Sequence, residues 1–153
     1  MSLRAQINDA LKQAMKAGDK RRISTLRLMN SAIKDKDILS RTEGHASALT
    51  PDAGLVDLFA KMVKQRQEST AAYEQGGRPE LAQAEREEIA IIQSYMPKQL
   101  SDDDARAAIA AVIKAVGAAS VKDMGKVMAE LKAKHAGQID MGKAGAIVKG
   151  MLG

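Results

Sequence analysis

Apolar residues recur every three or four positions along most of the chain, which is the spacing that predicts amphipathic α-helices. The first such segment begins after Ser2, a residue type that caps helices, and stops at Gly18; the second begins after Asp19. Each segment keeps its apolar residues on one side: Leu3, Ile7, Leu11 and Met15 in the first, and Ile23, Leu26 and Ile33 in the second. The chain therefore opens with two predicted helices.

The helical pattern is then interrupted several times. The stretch "SRTEGHASALT", residues 40–50, has no period and mixes small and polar residues, which predicts a mobile loop. Thr50 and Pro51 resemble a helix start, with the Thr50 hydroxyl as cap and proline at the first helical position. Gly76-Gly77 ends this third predicted helix and Pro79 opens a fourth, so that the two form a long helical hairpin.

The strongest candidate for a domain boundary is the stretch "YMPKQLSDDD", residues 95–104. Pro97 disfavours helical geometry at Met96, and Ser101 with Asp104 resembles a capping box at the start of the next helix. Three short apolar stripes follow: Ala105, Ile109, Val112, Ile113 and Val116; then Val121, Met124, Val127, Met128 and Leu131; then Ala144, Ile147, Val148 and Met151. We predict an all-α fold, with an N-terminal domain of about four helices over residues 1–96 and a three-helix domain over residues 97–153.

Composition agrees with packed helices and excludes several classes of function. The 153 residues are 45% hydrophobic but only 2% aromatic, so the core must consist of aliphatic side chains and methionine. The absence of cysteine excludes disulfides, thiolate metal sites and cysteine nucleophiles. No stretch reaches the roughly 18 apolar residues of a membrane span, and Asp9 and Asp19 argue against a transit peptide. We expect a cytoplasmic protein without a membrane partner.

The net charge of +5 is unevenly distributed. Residues 1–41 hold 10 Lys/Arg against 4 Asp/Glu, residues 74–88 hold 2 against 5, and residues 121–153 hold 6 against 3. Two basic regions thus flank an acidic one. We expect these regions to face different partners or each other.

The stretch "GQIDMGKAG", residues 137–145, comes close to a phosphate-binding loop. Gly137, Gly142 and Lys143 fit the pattern, but Ala144 stands where a magnesium-binding hydroxyl is needed. A helix ending, rather than a strand, precedes it. We therefore interpret the stretch as a helix start capped by Asp140, in which Gly142 lets another helix approach, and we expect no nucleotide cofactor.

No catalytic constellation is apparent. Glu85, Glu87 and Glu88 could hold magnesium or transfer protons, but helix surfaces often carry such residues. His45 and His135 lack the neighbours of a zinc site. We predict no catalytic residue, no metal and no cofactor.

The basic residues are the remaining candidates for a site. Lys126 and Lys143 follow glycines near predicted helix starts, where free amides attract phosphate. Around the first domain stand Arg22, Arg27, Lys64 and Arg66, which would contact the backbone of a folded RNA. Alternatively, these residues form solvated faces, with Arg66 and Glu68 in ordinary ion pairs. The scarcity of aromatic side chains disfavours single-stranded RNA, whose bases stack on such rings.

Four short stretches are specific enough for comparison with known families: Lys64-Gln65-Arg66, Glu85 with Glu88, the Tyr95-Met96-Pro97 junction and Asp123-Met124-Gly125-Lys126-Val127-Met128. Through them the chain resembles the GatB/YqeY family over nearly its whole length. Two departures, Met96 in place of leucine and the non-acidic Ala53-Gly54, touch no candidate site.

The resemblance implies a C-terminal domain similar to the tail of the B subunit of the glutamine-dependent aspartyl/glutamyl-tRNA amidotransferase. In that enzyme the tail engages tRNA while a separate cradle domain, for which this chain has no room, activates it. The implied function is a non-catalytic module for tRNA or aminoacyl-tRNA, accessory to a carbon–nitrogen ligase with glutamine as amido-N-donor. Its candidate contacts are Lys122, Lys126, Lys143, Arg22, Arg27, Lys64 and Arg66. The alternatives are a protein–protein adaptor in translation without an RNA ligand, and an independent ligase.

Overall fold

The computed structural model describes residues 2–42, 49–135 and 137–153. The predicted all-α class is confirmed, and the described ranges contain no strand. A 3₁₀ turn, Val121–Asp123, precedes the sixth helix. The α-helices are α1 Leu3–Ala17, α2 Lys20–Thr42, α3 Asp52–Gln75, α4 Pro79–Gln93, α5 Asp102–Val116, α6 Met124–His135 and α7 Met141–Leu152.

The chain divides into two compact units between Met96 and Pro97. In the first unit, α3 and α4 form a hairpin joined at Gly76–Gly77, and α1 packs on α2. Both predicted caps at its start are present: the Ser2 hydroxyl accepts from the Ala5 N–H, and Asp19 accepts from the Arg22 N–H. Fully buried side chains fill the space between these helices: Ile7, Leu26, Met29, Ile33, Leu55, Phe59 and Ile92.

The connection between α2 and α3 departs from two expectations. Within the loop predicted over residues 40–50, residues 40–42 belong to α2, whereas residues 49 and 50 lie outside any helix; residues 43–48, with His45, lie outside the described residues. The Thr50 hydroxyl does not cap α3, because Pro51 holds the N-cap position and the hydroxyl is buried without a hydrogen-bond partner among the described residues. Thr50 instead turns inward, where its N–H donates to Asp37 at 3.0 Å.

In the second unit, α5, α6 and α7 enclose a separate core. Its fully buried side chains are Ile109, Val127, Leu131, Ala144 and Val148. The Ser101 hydroxyl accepts from the Asp104 N–H, as predicted for the start of α5. Ser120 and Asp123 have the spacing of a capping box, which predicts a cap by the Ser120 hydroxyl. That prediction is wrong, because Ser120 makes no side-chain cap bond; the Asp123 carboxylate accepts instead from the Ala119 N–H at 2.9 Å.

The start of α7 answers the question raised by the glycine-rich stretch. Helix α6 precedes it, and Asp140 accepts from the amides of Gly142 and Lys143 at 2.8 and 3.4 Å. The interpretation as a capped helix start is therefore confirmed. The explanation for Gly142 is wrong, because the nearest atom to an added Cβ would be Oδ1 of Asp140, at 3.2 Å, and not a neighbouring helix.

Candidate functional site

Three lysines of the second unit stand at helix starts. Lys122 lies in the 3₁₀ turn, and Lys126 and Lys143 are the third residues of α6 and α7. All three are exposed, and none forms an ion pair with a described residue. Helix starts carry partial positive charge from unpaired amides, so each lysine adds to a potential that attracts anions.

A carboxylate lies beside these lysines at each helix start. Hydrogen bonds from the backbone amides of Ala119 and Ser120 hold the pKa of Asp123 below its ordinary value, and Lys126 adds to the effect. Asp123 is thus ionised at neutral pH, and Asp140 already occupies two amides of α7. An anion would therefore be bound by the lysine ammonium groups rather than by the free helix end.

The four basic candidates of the first unit fall into two pairs. Arg27 and Lys64 are exposed and make no ion pair with the described residues. The Arg22 guanidinium donates to the Tyr95 hydroxyl at 2.6 Å and stands 5.9 Å from the centre of that ring. Arg66 donates to Glu88 at 3.0 Å and to the Met62 carbonyl at 3.3 Å. Arg22 and Arg66 therefore already have hydrogen-bond partners within the first unit.

The acidic part of α4 faces the basic part of α2. Arg21 lies 3.3 Å from Glu87 and 3.8 Å from Glu88. The basic region of residues 1–41 and the acidic region of residues 74–88 thus face each other, which is one of the two arrangements expected from the charge distribution. Arg66 forms an ion pair, as the alternative interpretation of its charged face expected, and its partner is Glu88 on the neighbouring helix. No ion pair among the described residues involves Glu68. In the described part of the chain, no group of three or more ligating side chains could hold a metal ion.

Because the side chains of Arg66 and Glu88 are each only about 15% exposed, removing either of them should lower the stability of the folded protein. We expect Arg66→Ala to lower the free energy of unfolding by about 1–2 kcal/mol, since the half-buried Glu88 carboxylate loses its best donor. Thermal or urea unfolding measures this loss. Lys64→Ala, an exposed neighbour on the same helix, is the control and should change stability by less than about 0.5 kcal/mol. Equal effects of the two substitutions would contradict a structural role for Arg66.

A buried polar cluster that sequence reasoning missed joins three elements of the first unit. Asp37 of α2 accepts from two guanidinium nitrogens of Arg4 at 2.9 and 3.1 Å and from the Thr50 N–H at 3.0 Å. Arg4 also donates to the Thr50 carbonyl at 3.2 Å. The Arg4 hydrogen bond is the main reason that the pKa of Asp37 falls to about 2, and the hydrogen bond from the Thr50 N–H adds to it. The cluster fixes the approach to α3 and leaves Asp37 no free oxygen for chemistry.

The structure is that of an all-helical protein with two compact units and exposed lysines at the helix starts of the second unit. The chain belongs to the YqeY-like protein family, whose model matches residues 4–152. Within the part of the chain that the structure describes, no helix is long and apolar enough to cross a membrane.

Several curated relatives carry the name altered inheritance of mitochondria protein 41, mitochondrial. The relative from Eremothecium gossypii is 36% identical over 92 residues, which cover 60% of this chain and 48% of that protein. The one from Kluyveromyces lactis is 34% identical over 91 residues, covering 60% and 46%. The one from Saccharomyces cerevisiae strain YJM789 is 33% identical over 86 residues, covering 56% and 44%. The matched region thus spans somewhat less than half the length of these relatives.

Proposed function

We propose that the chain is a non-catalytic module that binds structured RNA, with tRNA or aminoacyl-tRNA as the ligand, in translation or in tRNA-dependent amidation. Three exposed lysines at the helix starts of the second unit support this proposal: Lys122, Lys126 and Lys143. None of them forms an ion pair with a described residue. Lysine is a compact charge that neutralises phosphate and releases its counterions.

The remaining candidates contribute unequally in this proposal. Arg27 and Lys64 are free to contact phosphate directly. The partner of Arg22 is the Tyr95 hydroxyl and not a carboxylate, so its charge is not balanced by an ion pair, whereas the Glu88 carboxylate balances the charge of Arg66. With 2% aromatic residues, the chain has few rings on which single-stranded bases could stack, which favours a folded RNA recognised by its shape and backbone.

The proposal assigns no reaction to the chain itself. Any association with glutamine-dependent carbon–nitrogen ligase activity would come through a partner enzyme that acts on the same tRNA. A cytoplasmic location, where such a partner and tRNA meet, is part of the same proposal; the relatives named above carry a mitochondrial designation in their names.

The direct test is fluorescence-anisotropy titration of the full chain with labelled total tRNA between 50 and 200 mM salt. If the three lysines, Arg27 and Lys64 each neutralise one phosphate, a plot of log affinity against log salt should have a slope of about −4 to −5. Single-stranded poly(U) of equal length is the comparison ligand and should bind more weakly. Absence of tRNA binding at 50 mM salt, or a slope near zero, would overturn the proposal. A protein recovered in stoichiometric amount after nuclease treatment would favour the adaptor instead.

A further inference from the structure

The sequence Asp-Met-Gly-Lys occurs twice in the second unit, at residues 123–126 and 140–143. Each copy stands at the start of a helix, and its lysine, Lys126 or Lys143, is one of those proposed to contact RNA. Each copy also places a carboxylate three residues before that lysine. Because a carboxylate repels the phosphate that the lysine attracts, the presence of each aspartate needs an explanation other than charge.

Helix capping explains the second aspartate but not the first. Asp140 accepts from the Gly142 and Lys143 amides at 2.8 and 3.4 Å, and such bonds stabilise the start of a helix. Asp123 uses its carboxylate in the opposite direction along the chain, because it accepts from the N–H of Ala119, which precedes it. The carboxylate of Asp123 therefore serves the turn before α6.

Two hydrogen bonds close the turn that carries Lys122. The Asp123 carboxylate accepts from the Ala119 N–H at 2.9 Å, and the Asp123 N–H donates to the Ser120 carbonyl at 2.9 Å. Lys122 lies inside this turn, exposed and without an ion pair to a described residue. A lysine side chain is flexible, so the region that its ammonium group reaches depends on how firmly the backbone beneath it is held.

We infer, on the basis of the RNA binding proposed above, that Asp123 is a positioning residue: it holds the turn so that the ammonium group of Lys122 meets the RNA backbone. The carboxylate repels phosphate, but the closed turn contributes more to affinity than this repulsion removes. Asp123→Ala should therefore weaken RNA binding although it removes a negative charge beside a polyanion. Charge alone predicts the opposite result.

Two substitutions of equal charge separate position from electrostatics. Asp123→Asn and Asp123→Ala remove the same charge, but only asparagine keeps a side-chain oxygen that can accept from the Ala119 N–H. Labelled total tRNA is titrated into each full-length variant at 50 to 200 mM salt and followed by fluorescence anisotropy. Asp123→Asn should bind at least as tightly as the wild type. Asp123→Ala should bind less tightly than the wild type and about tenfold more weakly than Asp123→Asn, because a lost hydrogen bond is worth about this factor.

The salt dependence gives a readout that a merely structural aspartate would not change. The slope of log affinity against log salt should be shallower by about 1 in Asp123→Ala than in Asp123→Asn, since Lys122 no longer neutralises a phosphate. Asp103→Asn and Asp103→Ala are the matched control pair. Asp103 is exposed in the first turn of α5 and forms no ion pair with a described residue, so these two variants should bind tRNA equally.

A double-mutant cycle tests whether Asp123 acts through Lys122. In a chain that also carries Lys122→Gln, the Asp123→Asn and Asp123→Ala variants should bind tRNA equally, because the group that Asp123 positions is gone. Thermal unfolding confirms that each variant is folded at the temperature of the titration. A difference that persists with Lys122→Gln, or equal binding of the two single variants while the wild type binds tRNA, would overturn this inference alone. Absence of tRNA binding by the wild type would overturn the proposed function as well.

Discussion

Replacing Asp37 with alanine is expected to lower the free energy of unfolding of the first unit by about 2–3 kcal/mol. The substitution removes the carboxylate that accepts from Arg4 and from the Thr50 N–H, and both donors then lie in or near the interior without it. Breaking a buried ion pair by removing one partner costs about 3–5 kcal/mol. We expect a smaller effect because the Arg4 side chain is 26% exposed and regains some hydration.

Urea unfolding followed by circular dichroism measures the effect of Asp37→Ala. The control is Asp35→Ala on the same helix, where the carboxylate is exposed and forms no ion pair with a described residue; stability should change by less than about 0.5 kcal/mol. Asp37→Asn should fall between the two, because the amide oxygen can still accept from Thr50. A loss no greater than that of Asp35→Ala would contradict the role assigned to the cluster.

The pH dependence of stability offers a second check on the same carboxylate. Its pKa is about 2 in the folded protein and 3.8 as the ordinary value, so the unfolded chain takes up the proton first as pH falls. The stabilisation by ionised Asp37 is therefore complete above about pH 4 and is lost as pH falls towards 2. We expect a loss of about 1–2 kcal/mol across this window, allowing for solvent near the cluster. The Asp37→Ala variant should lack this part of the acid response.

Changing Lys122, Lys126 and Lys143 together to glutamate should weaken tRNA binding by on the order of 100-fold at 100 mM salt. Each substitution removes a cation that neutralises phosphate and adds a charge that repels the RNA backbone. The slope of log affinity against log salt should become shallower by about 3, one for each phosphate that is no longer neutralised. Stability should change little, because all three side chains are exposed. Anisotropy titration gives the affinity, and thermal unfolding confirms that the variant is folded.

The matched control for this variant changes Lys12, Lys16 and Lys34 to glutamate. These lysines are also exposed, form no ion pair with a described residue, and alter the net charge by the same amount. If RNA binding depends on position rather than total charge, the control should weaken binding by less than about threefold. Similar losses in the two variants would mean that the chain attracts RNA only through its overall basic character. No loss in either would place the RNA-binding residues elsewhere.

The helices could be predicted well from the sequence because their signals are local. The Ser2 and Asp140 caps and the glycine turn at Gly76–Gly77 depend on neighbouring residues only, and the structure has each of them. Thr50 shows where such reasoning fails. Its hydroxyl and the following proline match a helix start, but Asp37, thirteen residues earlier, binds the Thr50 N–H and turns the residue inward. A tertiary hydrogen bond to a buried carboxylate outweighed the local preference.

The candidate site was predicted from charge and resemblance, which identify residue types but not their partners. Lys122, Lys126 and Lys143 could be placed near helix starts because capping and periodicity are local. That Arg66 pairs with Glu88 and Arg22 with Tyr95 could not be read from the chain, since the partners lie 22 and 73 residues away. The Asp37 cluster gave no sequence signal either, because its three residues are dispersed over 46 positions.

By itself, the sequence determined that this protein is all-helical, that its core is aliphatic, and that helix caps lie at Ser2, Asp19, Ser101 and Asp140, because periodicity, capping and composition act within a few residues. Tertiary structure decided which charges remain free. Two arginines that look like RNA ligands in the sequence are held by Glu88 and Tyr95, while three lysines stay open to solvent. The physical reason is that an ion pair depends on the distance between side chains in space. Only packing of α2, α3 and α4 brings those partners within hydrogen-bond reach.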